Sequence, residues 1–155
     1  MGVIVERANL SDREQANAVV EIIDSYARGP GGQNAPLTDF ARAELVPGLI
    51  DHPSAMVLLA TLDGRAVGTA VCLFGFSTFV GKPTVNIHDF AVLPAYRGQG
   101  IGHALLAEVE RRARERNCCR ITLEVHDSNE GAKRLYAETG FGPWDPPTLF
   151  VTKSL

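Results

Sequence analysis

Apolar positions along the chain alternate between strand-like and helix-like spacing. Val3, Ile4 and Val5 form a short apolar run of the kind that makes a buried strand. Beyond Ser11, which can cap a helix, Ala16, Val19, Val20 and Ile23 recur at helical spacing towards Gly29. The following stretch, GPGGQNAP, is rich in turn residues and is the most flexible-looking segment of the chain, where a lid could sit. A second helix is expected over 38–50, broken or kinked at Pro47 and Gly48.

SAMVLLATLDGRAVGTAVCLFGF predicts two strands joined at Asp63-Gly64, a dipeptide suited to a tight hairpin. A third strand is expected over 84–93, after a loop carrying Phe74, Phe76 and Phe79, which serve equally well as lids on the core or as walls of a ligand site. Ile101, Leu105, Leu106, Val109 and Ala113 mark a helix over 101–116, with Glu108–Arg112 and Glu110–Arg114 as exposed pairs four apart. RITLEV alternates as a half-buried strand does, and Asp127 with Glu130 has the form of a capping box for a helix ending at Gly140. A last strand is expected over 148–152. This order of elements predicts an α/β (α+β) domain, a mixed sheet covered by helices.

Composition narrows the function classes. At 155 residues, 45% of them apolar, the chain can bury a sizeable core and is expected to form one domain, 1–155. A formal charge of −3 argues against a general nucleic-acid binder and points to small-molecule partners. The first residues are charged within six positions, and no run approaches membrane-spanning length, so a soluble cytoplasmic protein with no membrane partner is expected. Cys72, Cys118 and Cys119 form neither a disulfide framework nor a Cys-x-x-Cys, and the histidines have no metal-type spacing, so no metal is expected.

The candidate chemistry lies in DFAVLPAYRGQGIGHALL, where an apolar strand turns through Arg97, Gly98, Gln99, Gly100, Ile101 and Gly102 into a helix. A Walker phosphate loop is excluded because GFSTFVGKPT has one residue too many and Pro83 at the hydroxyl position. A dinucleotide fingerprint from Gly98 is weakened by His103 at its third glycine, although Glu124 lies at a plausible distance for a ribose-binding acid. Free N–H groups at a helix start attract phosphate, glycines let it approach the backbone, and Arg97 adds positive charge. The alternative is a strand-to-helix turn that uses glycine only for its backbone freedom.

AVLPAYRGQGIGHALL resembles the acyl-CoA signature of the GNAT superfamily of N-acetyltransferases, and NEGAKRLYAETGFGPW resembles the second motif of that superfamily. Both occur in family order over roughly residues 87–144. The resemblance implies a mostly antiparallel twisted sheet with one splayed parallel pair, flanked by about four helices. It also implies acetyl-CoA as cofactor, released as CoA. The pantetheine would pair with backbone at Phe90, Ala91 and Val92, and the pyrophosphate would rest on Gly98–Gly102, next to Arg97, Gln99 and Ile101. Tyr136 matches the family's general acid, with half-buried packing as the alternative role. His88 stands where many relatives place a base glutamate, and Asp89 is its neighbour. Adjacent strand residues face opposite sides, so at most one of the two is expected to face the acceptor. Asn129 matches a cofactor-contacting asparagine and can cap its helix as well; Lys133 and Arg134 are expected on the solvated face.

The acceptor should enter beside the first two helices, the aromatic loop and GPWDPPTLF. NIHDFAV is similar to the corresponding segment of spermidine/spermine acetyltransferases, and Asp39, Glu44 and Asp89 could attract a cation. The expected activity is acetyl transfer to a primary amine of a small molecule, polyamine-like or another amine metabolite, in a ternary complex. Alternatives are a protein lysine or N-terminal acetyltransferase, a non-catalytic acyl-CoA-binding module and, more distantly, a dehydrogenase. A homodimer is the assembly that the resemblance implies.

Overall fold

The computed structural model describes residues 2–142 and 149–155. The elements run β1 (Ile4–Arg7), α1 (Arg13–Ala27), α2 (Asp39–Asp51), β2 (Ala55–Leu62), β3 (Arg65–Ser77), β4 (Lys82–Val92), α3 (Ile101–Glu115), β5 (Ile121–Leu123) and α4 (Glu130–Glu138), with a 3-10 turn at Pro94–Tyr96. The five strands lie side by side in chain order. The pairings from β1 to β4 are antiparallel, while β4 and β5 run parallel. This is the mixed sheet that the order of elements predicts, with the one parallel pair that the resemblance implies.

Each face of the sheet has its own apolar layer. On one side Leu58, Ala70, Cys72, Val85 and Ile87 pack with Ile101, Leu105, Val109 and Tyr136, which seats α3 and α4. On the other, Val57, Leu59, Val71 and Ala91 pack with Val19, Ile22 and Ile23, with Leu45 and Leu49 half-buried beside them, which seats α1 and α2. The predicted hairpin is present: Asp63 and Gly64 both take positive φ, as its two-residue turn requires. Glu110–Arg114 pairs exposed on α3 as expected; Glu108–Arg112 pairs too, half-buried rather than exposed, and Arg111 joins Glu108 as well.

Several local expectations are corrected. Asp12, not Ser11, caps α1, its side chain accepting from Gln15 N–H. Asn129, not Asp127, caps α4; Asp127 instead pairs with Lys133. Helix α2 runs through Pro47. The carbonyl that loses its helical donor there belongs to Ala43, which is exposed and can turn to water. Phe74 and Phe76 lie within β3 rather than in a loop, leaving Phe79 alone at the turn before β4. Residues 149–152 carry no strand, while Thr148 and Trp144 lie outside the described residues. Among the described residues no helix is long and apolar enough to cross a membrane, and no group of three or more His, Cys, Asp or Glu could hold a metal ion.

Candidate active site

The parallel pair opens where the site begins. β5 pairs with β4 only at Val85, Asn86 and Ile87, whereas β4 continues to Val92. Phe90, Ala91 and Val92 pair with Ala70, Thr69 and Gly68 of β3 on one edge, and among the described residues no strand covers their other edge. A cleft of about 1850 Å³ fills this gap and extends along the start of α3 and along α4. Phe90, Ala91, Val92, Arg97, Gly98, Gly100, Ile101, Gly102, Asn129 and Tyr136 all line it. Uncovered strand edges carry backbone donors and acceptors that an extended amide-bearing ligand can satisfy.

The glycines of the turn do different jobs. Gly98 and Gly100 adopt φ of +73° and +80°, and a Cβ on either would meet nothing within 4 Å. Both line the cleft at the start of α3, where the first N–H groups of a helix have no intrahelical partner. Gly102 is different: a Cβ there would lie 2.8 Å from Leu135, so this glycine lets α4 pack against α3. Arg97 stands at the cleft mouth, its Nε donating to the Val92 carbonyl at 3.2 Å. Gln99 does not line the cleft; its amide donates to the Ala95 carbonyl at 3.2 Å, bracing the turn.

Tyr136 is buried in the cleft wall, with Phe90 edge-on at 6.1 Å and Phe141 tilted at 5.6 Å between ring centroids. Burial first, and the nearby Tyr26 second, push its hydroxyl up to about 12. It therefore keeps its proton across the neutral range. Asn129 caps α4, its Oδ1 accepting from Ala132 N–H at 3.1 Å, and lines the cleft as well. Lys133 is tied to Asp127 and Glu130, in line with the solvated-face expectation, whereas Arg134 lies along the cleft.

The strand rule for His88 and Asp89 fails because β4 carries a bulge at this point. Val71 pairs with Asp89 and Cys72 with Ile87, so His88 is the extra residue between them. The parity of the strand flips there: Val85, Ile87 and Phe90 pack on the α3/α4 side, and Ala91 on the α1/α2 side. As a result, His88 and Asp89 both line a pocket of about 290 Å³ between α1, α2, β3 and β4. His88 also lines the large cleft. Burial raises the Asp89 pKa, and the neighbouring His88 opposes that rise. Asp39 and Glu44 are exposed and do not line the pocket, so Asp89 is the only one of the three expected acids there.

Tyr26, at the end of α1, escaped the sequence reading. It lines the cleft, and its hydroxyl donates to the Gly31 carbonyl at 2.7 Å. Its pKa is raised by burial and by Asp89, with Arg97 opposing. The available signal was its place on the Val19–Ile22–Ile23 stripe one turn before a glycine-rich loop. That loop is stitched to α1 rather than loose: Gln33 and Ala35 donate to the Ala27 carbonyl, and Leu37 N–H donates to Asp24 Oδ1 at 2.8 Å. Pro30 and Gly31 thereby form a wall of the cleft.

Comparison with known proteins bears on the same residues. The acetyltransferase (GNAT) family model matches residues 16–141. A thialysine N-epsilon-acetyltransferase of Mus musculus is 30% identical over 131 residues, covering 84% of this chain and 71% of that protein. An uncharacterized N-acetyltransferase of Archaeoglobus fulgidus is 42% identical over 90 residues, which are 57% of this chain and 61% of the relative. Among solved structures, a ribosomal-protein-alanine N-acetyltransferase from Brucella melitensis biovar Abortus superposes with a TM-score of 0.77 at 21% identity, over 99% of this chain and 100% of that one. The last of these speaks to the fold alone.

Proposed function

We propose, from the premise that this chain belongs to the acetyltransferase (GNAT) family, that it transfers an acetyl group from acetyl-CoA to the primary amine of a small molecule in a ternary complex. The observation that carries the proposal is His88, the bulge residue that lines both the large cleft and the smaller pocket. An amine held in one can meet a thioester held in the other.

The cleft fits the donor that the family uses. Open space at Gly98 and Gly100 leaves room for a pyrophosphate against bare backbone, and the uncovered edge of Phe90–Val92 offers partners for pantetheine amides. Bound there, acetyl-CoA supplies an activated thioester carbonyl. Gly98, Gly100, Ile101 and Gly102 would hold the phosphates through N–H groups, with Arg97 adding charge and Gln99 bracing the turn. Asn129 would close the far wall. A backbone N–H near Val92 would polarise the carbonyl.

Two proton movements remain for this chain. An alkyl ammonium with pKa near 10 is only about one-thousandth neutral at pH 7, so His88 or Asp89 takes its proton, directly or through water. Tyr136, in the cleft wall, would serve the departing sulfur as the acid. With its pKa at about 12, complete transfer to a thiolate of ordinary pKa near 8.5 runs uphill by about 5 kcal/mol. Its contribution is therefore a hydrogen bond to the developing charge, with water completing the protonation.

The test is thiol release from acetyl-CoA across small amines and across peptides bearing lysine or a free N-terminus. Small amines should exceed peptides by about tenfold or more in kcat/KM. Peptide preference would replace the small-molecule acceptor with a protein. Tight acetyl-CoA binding without turnover on any amine would favour the non-catalytic module.

A further inference from the structure

The pocket beside His88 has a composition that none of the site assignments uses. Its wall is aliphatic: Ile23 from α1, Leu45 and Leu49 from α2, Val71 and Leu73 from β3. Its polar groups are the carboxylate of Asp89 and the imidazoles of His52 and His88, and among the described residues Asp89 is the only acid lining it. A second cation drawn against the aliphatic wall would meet no second carboxylate among the described lining residues, and stripping its water without one is strongly unfavourable.

Gly48 adds a second observation. It sits inside α2 and lines the same pocket. A glycine within a helix weakens it relative to alanine, and here nothing crowds the position, since a Cβ at Gly48 would meet no heavy atom within 4 Å. Close packing does not require the glycine. Gly48 is exposed where it lines the pocket, so a longer side chain there has room to reach across the opening.

We infer that this pocket takes the acceptor as a monoamine with a short apolar body, its ammonium at Asp89 and its hydrocarbon against the aliphatic wall, and that Gly48 sets the length admitted. The inference rests on the acetyl-transfer proposal and sharpens its acceptor class. It favours alkyl and arylalkyl amines over polyamines. A volume near 290 Å³ accommodates an acceptor of about ten non-hydrogen atoms, at roughly 30 Å³ for each water-sized group.

The experiment compares methylamine, propylamine, pentylamine and 1,5-diaminopentane at fixed acetyl-CoA. It uses the full chain and Gly48→Leu, with thermal melting as the folding control and Gly48→Ala as a milder filling. In the unmodified chain kcat/KM should climb about fourfold per added methylene until the wall is covered. Pentylamine should exceed the diamine of equal length by about tenfold or more. Gly48→Leu should lower the pentylamine-to-methylamine ratio by about tenfold, and Gly48→Ala by less. A flat chain-length series, a diamine equal to or better than pentylamine, or a ratio unmoved by Gly48→Leu would overturn the inference.

Amine binding measured by NMR without turnover separates the two proposals. Pentylamine binding that Gly48→Leu abolishes, with no acetylation, keeps the pocket assignment and rejects acetyl transfer. Acetylation without any length preference does the reverse, and neither binding nor acetylation overturns both.

Discussion

The turn at Arg97–Gly102 is built from backbone within a single short segment, whereas the pocket around His88 is built from side chains that α1, α2, β3 and β4 bring together. A backbone surface reads what every acyl-CoA shares, the phosphates and the amides, and carries little further information. A side-chain surface reads size, charge and apolar length, so it can differ completely between enzymes that use the same donor. The two meet at His88, which lines both the cleft and the pocket, and perturbing each region separately shows whether the division holds.

The largest effect is expected in the cleft wall, at Tyr136. Tyr136→Phe keeps the ring contacts to Phe90 and Phe141 and removes only the hydroxyl. Steady-state kinetics should show kcat lower by about 10²-fold, near the bottom of the range for a positioned acid, with both KM values nearly unchanged. An unaltered kcat would remove Tyr136 from the chemistry and leave it as packing.

Next in size is a substitution confined to the backbone surface. Gly100→Val forces a β-branched residue to φ near +80°, strain of about 1–3 kcal/mol that the turn can relieve only by changing shape. Calorimetric acetyl-CoA affinity should fall by about tenfold or more while the amine KM stays put. If both move together, the two regions are not separable. Gly102→Ala should act differently, lowering the melting temperature through its approach to Leu135.

On the side-chain surface, His88→Ala and Asp89→Asn identify the base through the pH-rate profile. Burial holds the Asp89 pKa above the ordinary carboxylate range and His88 pulls it back, so losing His88 lets it rise further. If Asp89 is the base, the acidic limb of kcat/KM moves to higher pH in His88→Ala and vanishes in Asp89→Asn. If His88 is the base, His88→Ala removes the limb while Asp89→Asn only shifts it.

The same division explains what could be read before any coordinates. The order of elements along the chain, the hairpin at Asp63-Gly64, the periodic helix α3 and the glycine turn are all local patterns, and each is written in consecutive residues. The bulge at His88 is not, because two-versus-one pairing arises only when β3 and β4 are laid side by side. Alternation alone therefore put His88 and Asp89 on opposite faces, when in fact they share a pocket. His52 and Gly48 were missed for a related reason: nothing near them in sequence marks a site, and they, like Tyr26 beside its glycine-rich loop, reach it only through packing of α1 and α2 on the sheet. Asp127 had the form of a cap, but Asn129 lies one residue before α4 and took the role.

The smallest effect is expected from Asp24, which braces the side-chain region without lining it. This buried carboxylate accepts from Leu37 N–H and from Arg28 Nε, each at 2.8 Å, and lies 3.3 Å from an Arg42 nitrogen, so it ties the end of α1 to the loop and to α2. The Arg28 hydrogen bond and then the Leu37 hydrogen bond hold its pKa below the usual aspartate value. A depressed folded value means that the stabilisation is complete above the unfolded pKa, near 3.9, and fades as pH falls through the folded value. Asp24→Asn should therefore melt a few degrees lower at neutral pH, and the gap from the parent protein should close in acid, where the parent loses the same charge. Hydrogen exchange at the Leu37 amide should quicken in the variant, and the amine KM should rise about two- to fivefold as the α2 wall loosens. The glycine turn has no titrating support of this kind, so acetyl-CoA affinity should not follow. A parallel loss of donor binding would mean that the stitched loop, through Pro30 and Gly31 in the cleft wall, couples the two surfaces after all.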